Sequence, residues 1–200
     1  MRLWWRRGET ALNWKRFATI VVVLILAGSS ARAAAPSRLI GKYAQFRPAL
    51  NPLKSDFGTS MGYGGEINLS LSNYVDFWVG AMHHPRPNNL ASGASASLTP
   101  IDAGIKVKIP VPFLGTPYVG VGGVYSTYTE KAGGVETSSN GVGYCLQAGM
   151  VIPPCSGRSC SNALFSIDLF LNYSSCEVDV GGRALDVGGL RIGLGWGVGF

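Results

Sequence analysis

From residue 38 to the end, apolar and polar positions alternate with a period of two, in segments of about ten residues separated by turns or loops. Helical periodicity is absent, and eight such segments can be marked. The last is the clearest: Leu190, Ile192, Leu194, Trp196, Val198 and Phe200 share one face, while Arg191, Gly193, Gly195, Gly197 and Gly199 share the other. A half-buried strand in a soluble sheet shows the same alternation, so one segment does not decide between water and lipid.

The distribution of charge over all the segments carries the argument further. Glu66, Asn68 and Ser70 alternate with Ile67, Leu69 and Leu71; Asp76 alternates with Val75, Phe77 and Val79. Asp102, Lys106 and Lys108 oppose Ile101, Ala103, Ile105, Val107 and Ile109. Ser166, Asp168 and Asn172 oppose Phe165, Ile167, Leu169, Leu171 and Tyr173, and Cys145 and Gln147 oppose Tyr144, Leu146, Ala148, Met150 and Ile152. Every strand charge falls on one parity. In a soluble barrel the apolar face points inward, and in a membrane barrel the arrangement is inverted. Parity alone leaves both open, with a soluble lipocalin-like binding protein of the periplasm as the non-membrane alternative.

Two segments are weaker. Leu39 to Phe46 carries Lys42, and Tyr118 to Tyr128 contains a Gly122-Gly123 pair that reads as a bulge. The joints at Ser72-Asn73, Pro110 to Pro117 and Pro153 to Ser161 are short. Those at Arg47 to Ser60, His83 to Ser97, Glu130 to Asn140 and Ser174 to Asp186 are mostly longer and read as external loops. Tyr43, Phe57, Tyr63, Tyr74, Tyr118, Tyr128, Tyr173 and Phe200, near strand ends, suit interfacial girdles.

The N-terminus changes the picture. Met1 to Arg16 is basic, Phe17 to Gly28 is an uninterrupted apolar run, and small residues precede Ala33, with Ala35 as a second cleavage position. That run is too short for a membrane helix, which needs about twenty residues. Residues 1–33 therefore read as a cleaved secretory signal, and residues 34–200 as one barrel domain. The signal holds six of the seventeen Lys and Arg and one of the eleven acids, which leaves eleven bases against ten acids. The high pI belongs to the signal, and a nucleic-acid partner is excluded. The expected architecture is all-β, an eight-stranded antiparallel up-and-down transmembrane β-barrel in the outer membrane, with closure satisfying every backbone polar group.

The segments Tyr118-Val-Gly-Val-Gly-Gly-Val-Tyr125, Leu169-Phe-Leu-Asn-Tyr173 and Gly188 to Phe200 resemble the small eight-stranded outer-membrane barrels of the OmpX, OmpA transmembrane-domain and OmpW type. The resemblance implies that Ile192, Leu194, Trp196, Val198 and Phe200 form the signal read by the barrel-assembly machinery. It also implies contact with membrane lipid and lipopolysaccharide. A cell-wall-anchoring role is not expected, since no such domain follows Phe200.

Eight strands leave an interior that side chains can just fill. Lys42, Glu66, Asp102, Lys106, Lys108, Asp168 and Arg191 are expected to form an interior polar network, with Asp76 solvated near a turn. His83 and His84 end the third strand as solvated surface, and their pattern matches neither a lipid A deacylase nor a palmitoyltransferase. No metal spacing is recognisable and no cofactor is expected. Cys155 and Cys160 could close a small disulfide loop across their turn. Extending that hairpin sets Cys145 opposite about residue 170, roughly 20 Å short of Cys176, which argues against a Cys145–Cys176 bond. The function expected is non-enzymatic, in envelope integrity or surface contact through the external loops, by a monomer. A narrow channel and a lipid A-modifying enzyme are the alternatives.

Overall fold

A computed structural model of the chain describes residues 36–49, 58–86, 95–109, 111, 115–132, 134–152, 165–180 and 182–200. The secretory segment at 1–33, Phe57, Cys155 and Cys160 lie outside the described residues. Among the described residues there are nine strands: β1 (Arg38–Pro48), β2 (Ser60–Ser70), β3 (Val75–Arg86), β4 (Ser95–Lys108), β5 (Thr116–Ala132), β6 (Val135–Ile152), β7 (Phe165–Val180), β8 (Arg183–Asp186) and β9 (Gly189–Gly199). Every pairing is antiparallel. β1 joins β9, and β6 joins β7, so eight strands close into a ring in the order β1-β2-β3-β4-β5-β6-β7-β9. β8 pairs only with the tip of β7. The fold is the eight-stranded antiparallel closed barrel expected from the alternation.

The ring is inverted relative to a soluble protein. Along β7, Phe165, Ile167, Leu169 and Leu171 face outward and exposed, while Ser166, Asp168, Asn172 and Ser174 are buried inside. β9 repeats this, with Trp196 62% exposed and Arg191 1%. An outer wall of Leu, Ile, Val and aromatic side chains would be a very large apolar patch in water, and it is the surface a barrel presents to lipid.

Local chemistry fixes the turns. Between β2 and β3 the Ser72 hydroxyl accepts from the amides of Tyr74 (3.2 Å) and Val75 (3.0 Å), and the Leu71 amide donates to the Val75 carbonyl. Gly134 and Gly182, both at φ 82°, take the left-handed conformation at the β5–β6 and β7–β8 turns. The end holding Arg38, Lys108 and Phe200 is the terminal end below, and that holding Gly134 and Gly182 the distal end.

Several expectations are corrected. Glu130 to Asn140 is not a loop, because β5 and β6 stay paired from Thr116↔Val151 up to Ala132↔Val135. Ser174 to Asp186 is likewise the β7–β8 hairpin, and His83 to Ser97 is in part the paired ends of β3 and β4. Polar Thr and Ser alternate there as readily as apolar residues do nearer the terminal end, so hydrophobicity marked the ring and not the strand ends. Gly122 and Gly123 form no bulge, since they pair in unbroken register with Gly104 and Ala103. Of the girdle residues expected from the sequence, Tyr118 and Tyr128 point into the barrel and are buried, Tyr173 is half-buried, and Tyr43, Tyr63, Tyr74 and Phe200 are exposed. The β6–β7 register is shifted by four residues from that assumed: Cys145 faces Ser174, and Cys176 faces Gly143. An even shift preserves both faces, so the two cysteines lie two positions out of register. Both are free, buried thiols.

Candidate functional site: the filled lumen and the distal hairpins

The inward parity of all eight ring strands converges on the lumen. Lys42, Lys106, Lys108 and Arg191 meet Glu66, Asp76, Asp102 and Asp168 there, and all eight are buried. Glu66 of β2 is the hub. It accepts from Lys42 (2.6 Å), Asn68 (2.8 Å), Lys106, and Gln147 (3.1 Å). Lys106 also donates to Asn68 (2.9 Å). Asp168 accepts from the Tyr118 hydroxyl at 2.8 Å and stands 3.6 Å from Lys42. Nearer the terminal end, Asp76 accepts from Lys108 (2.5 Å) and Ser70 (2.8 Å), so it is a buried, paired carboxylate and not a solvated one. Burial of charge is tolerable only with such pairing, because each ion removed from water costs several kcal/mol.

Two contacts cross the full diameter. β2 and β6 are opposite members of the ring, joined by Glu66 and Gln147, and β4 and β9 are likewise opposite, joined by Asp102 and Arg191 at 3.0 Å. Asn172 completes the second strut, donating to Asp102 (3.2 Å) and accepting from Arg191 (2.8 Å). The Lys42 ammonium lies 4.2 Å from the Phe170 ring centroid and that of Lys106 4.7 Å from the Tyr118 ring centroid. Two residual cavities among these residues measure about 10 Å³ each, room for about one water apiece.

The distal half of the lumen is different, and the sequence reading missed it. Phe46, Leu98, Val124, Tyr128, Cys145, Cys176, Val178 and Val187 form a buried cluster that extends down to Trp78, whose ring lies beside Lys106 at the edge of the polar section. These residues sit on the same parity as the charges, and reading that parity for its large apolar members, separately from its charged ones, would have found them. Glycine makes room for the largest. A Cβ on Gly120 would come 3.0 Å from Trp78 Cζ3, and one on Gly104 2.5 Å from Trp78 Cη2. The lumen therefore has a polar section toward the terminal end and an apolar plug toward the distal end.

The histidines separate. His83 lies on the outer face of β3, where its Nδ1 is 2.9 Å from the Thr99 hydroxyl and its ring meets Tyr63 edge-on at 5.7 Å. His84 is fully buried inside, against Phe46 (ring centroids 5.1 Å apart) and over Gly62. Neither is solvated surface, because the strand continues past both. No carboxylate hydrogen-bonds either histidine among the described residues, and these residues contain no cluster of three metal-ligating side chains. Ile192, Leu194, Trp196, Val198 and Phe200 all lie on the outer wall, exposed.

At the distal end the β5–β6 hairpin outruns the ring. β7 covers β6 only from Gly141, so Val135–Asn140 has β5 on one side and no ladder on the other. The Ser139 hydroxyl donates to the Asp179 carbonyl, the one side-chain tie across that gap among the described residues. The two hairpins carry Glu130, Glu136, Glu177, Asp179 and Asp186 against Lys131 and Arg183.

No protein-family model matches the chain, and no curated protein matches it. Solved structures do share its fold. Neisserial surface protein A (NspA) superposes with a TM-score of 0.64 at 15% identity, covering 84% of this chain and 100% of that one. Ail, the attachment invasion locus protein of Yersinia pestis, gives 0.53 at 16% identity, covering 82% and 99%; a second structure of Ail is a complex with the heparin analogue sucrose octasulfate. The N-terminal β-barrel domain of Pseudomonas aeruginosa OprF gives 0.52 at 18%, covering 84% and 100%. The fold is that of the small eight-stranded outer-membrane barrels.

Proposed function

We propose that the chain is exported by residues 1–33, assembled through Ile192, Leu194, Trp196, Val198 and Phe200, and seated in the outer membrane as a monomeric, non-enzymatic surface-contact protein. The observation that carries this is the pairing of a filled lumen with distal hairpins that outrun the ring and leave Val135–Asn140 unpaired along one edge. An open strand edge is a ready template for an extended segment of another protein. The acidic excess on the hairpins favours a protein partner over a sulfated sugar, unlike the heparin analogue named with Ail. Arg47, exposed at the distal end of β1, supports a contact with lipopolysaccharide phosphates.

Cross-lumen struts and the apolar plug argue against a standing channel. His83, bonded to Thr99 with no carboxylate behind it, lacks the third group that acyl transfer from lipid A needs. The test has two parts. Outer-membrane fractions run on a denaturing gel with and without boiling should show a boiling-dependent shift. A variant in which residues 129–138 are replaced by Asn-Gly should keep that shift and lose adherence of cells to immobilised matrix proteins. Unchanged adherence would sink the surface-contact reading, and recovery from the soluble periplasm would sink the membrane one.

A further inference from the structure

His84 is a polar side chain the barrel does not use. It is 0% exposed, and neither Nδ1 nor Nε2 has a hydrogen-bond partner. It is held by shape alone: β1 presents Phe46, β2 presents Gly62, on whose backbone the imidazole lies, and β4 presents Leu98 directly opposite. A residue chosen only to fill an apolar plug would be Leu or Phe, which carry no unpartnered polar atoms.

We propose that His84 is an acid-sensitive latch of the distal lumen: neutral, it completes the apolar plug, and protonated, it draws water in and loosens the plug. Imidazole is the side chain whose charge changes in the mildly acidic range. An imidazolium at this position would find no carboxylate within the plug, only neutral hydroxyls such as that of Ser60, and would face like charge from Arg191 of β9, with His83 on the other face of β3. Asp102 of β4 is already held by Arg191, and Asp186 at the rim accepts from the amides of Gly188 and Cys176. β2 contributes Ser60, uncharged. Tyr128 of β5 and the thiols of β6 and β7 stay neutral throughout the acid range. Hydration is the way left to stabilise the charge, and it requires the plug to part.

The plug holds its own reporters, Cys145 and Cys176. The full chain, with Cys155→Ser and Cys160→Ser, is probed in outer-membrane fractions with a water-soluble pyridyl disulfide, which modifies thiols at acid as well as neutral pH. The expected result is no modification near neutrality and progressive modification below the ordinary histidine range, about pH 6.5. His84→Phe and His84→Gln should remain shielded throughout, and His83→Phe should follow the parent chain; the boiling shift confirms that each variant is folded. Shielding kept at all pH values by the parent would overturn the proposal. So would modification of both His84 variants over the same range as the parent, which would assign the response to the lumen carboxylates.

Discussion

Arg191 and Asp102 stand on opposite walls of the ring, β9 and β4, and meet at 3.0 Å across the lumen. A barrel whose facing walls are tied together by buried ions is braced from within, and the price of losing one partner is high. Arg191→Ala or Asp102→Ala should each destabilise the folded barrel by about 3–5 kcal/mol, since each leaves a buried charge alone. Arg191→Met combined with Asp102→Leu should recover much of that loss. Urea unfolding in lipid vesicles measures both. Equal stability of the single variants and the parent would show that the strut does not form.

Trp78 and Gly120 should prove coupled. Gly120→Val puts a side chain against Trp78 Cζ3 and Lys106 Cγ, both within 3.1 Å of the added Cβ alone, and overpacking of this kind costs about 1–3 kcal/mol. Trp78→Leu should relieve it, so the double variant should be more stable than the two single losses summed. A double-mutant cycle showing simple additivity would contradict the contact.

The outline of this packing was legible in the residues, and its details were not. Parity placed Glu66, Asp102, Asp168 and Arg191 on one face because a strand's period of two depends on nothing but the backbone. Register depends on where each hairpin turns. The β6–β7 turn was read from Cys155 and Cys160, and four residues of error left Cys176 six positions from its neighbour instead of two. The distal hairpins carry no apolar alternation to mark them as strands, since Thr127, Thr129, Thr137 and Ser139 fill their positions with polar side chains. His84 looked like surface because its neighbours in sequence are polar, whereas its neighbours in space, Phe46 and Leu98, come from other strands.

Phe200 should separate assembly from stability. Its ring is 68% exposed on the outer wall, and the contact that anchors it is its amide donating to the Ser37 carbonyl at 2.9 Å, which any residue keeps. Phe200→Ser should therefore reduce the amount reaching the outer membrane while leaving the urea midpoint of the refolded barrel nearly unchanged. A fall in both together would make Phe200 a stability residue and remove the reason to see it as an assembly signal.

The exposed ion pair Lys131–Glu136, at 2.9 Å across the hairpin tip, should contribute little. Glu136→Gln is expected to shift stability by less than about 1 kcal/mol. If the open edge is the contact surface, a proline at Thr137, in the edge strand, should abolish partner binding while the boiling shift persists. Binding that survives Thr137→Pro would move the contact elsewhere.

The inversion of the barrel is tested most directly with its two tryptophans beyond the secretory segment, Trp78 and Trp196. Single-tryptophan forms of residues 34–200, refolded into vesicles, are compared for quenching by lipids brominated along the acyl chain. Trp196, outward and 62% exposed, should be strongly quenched, and Trp78, 0% exposed inside the ring, should be nearly untouched. Equal quenching, or quenching of Trp78 in preference to Trp196, would mean that the charged face does not line the interior of a membrane barrel.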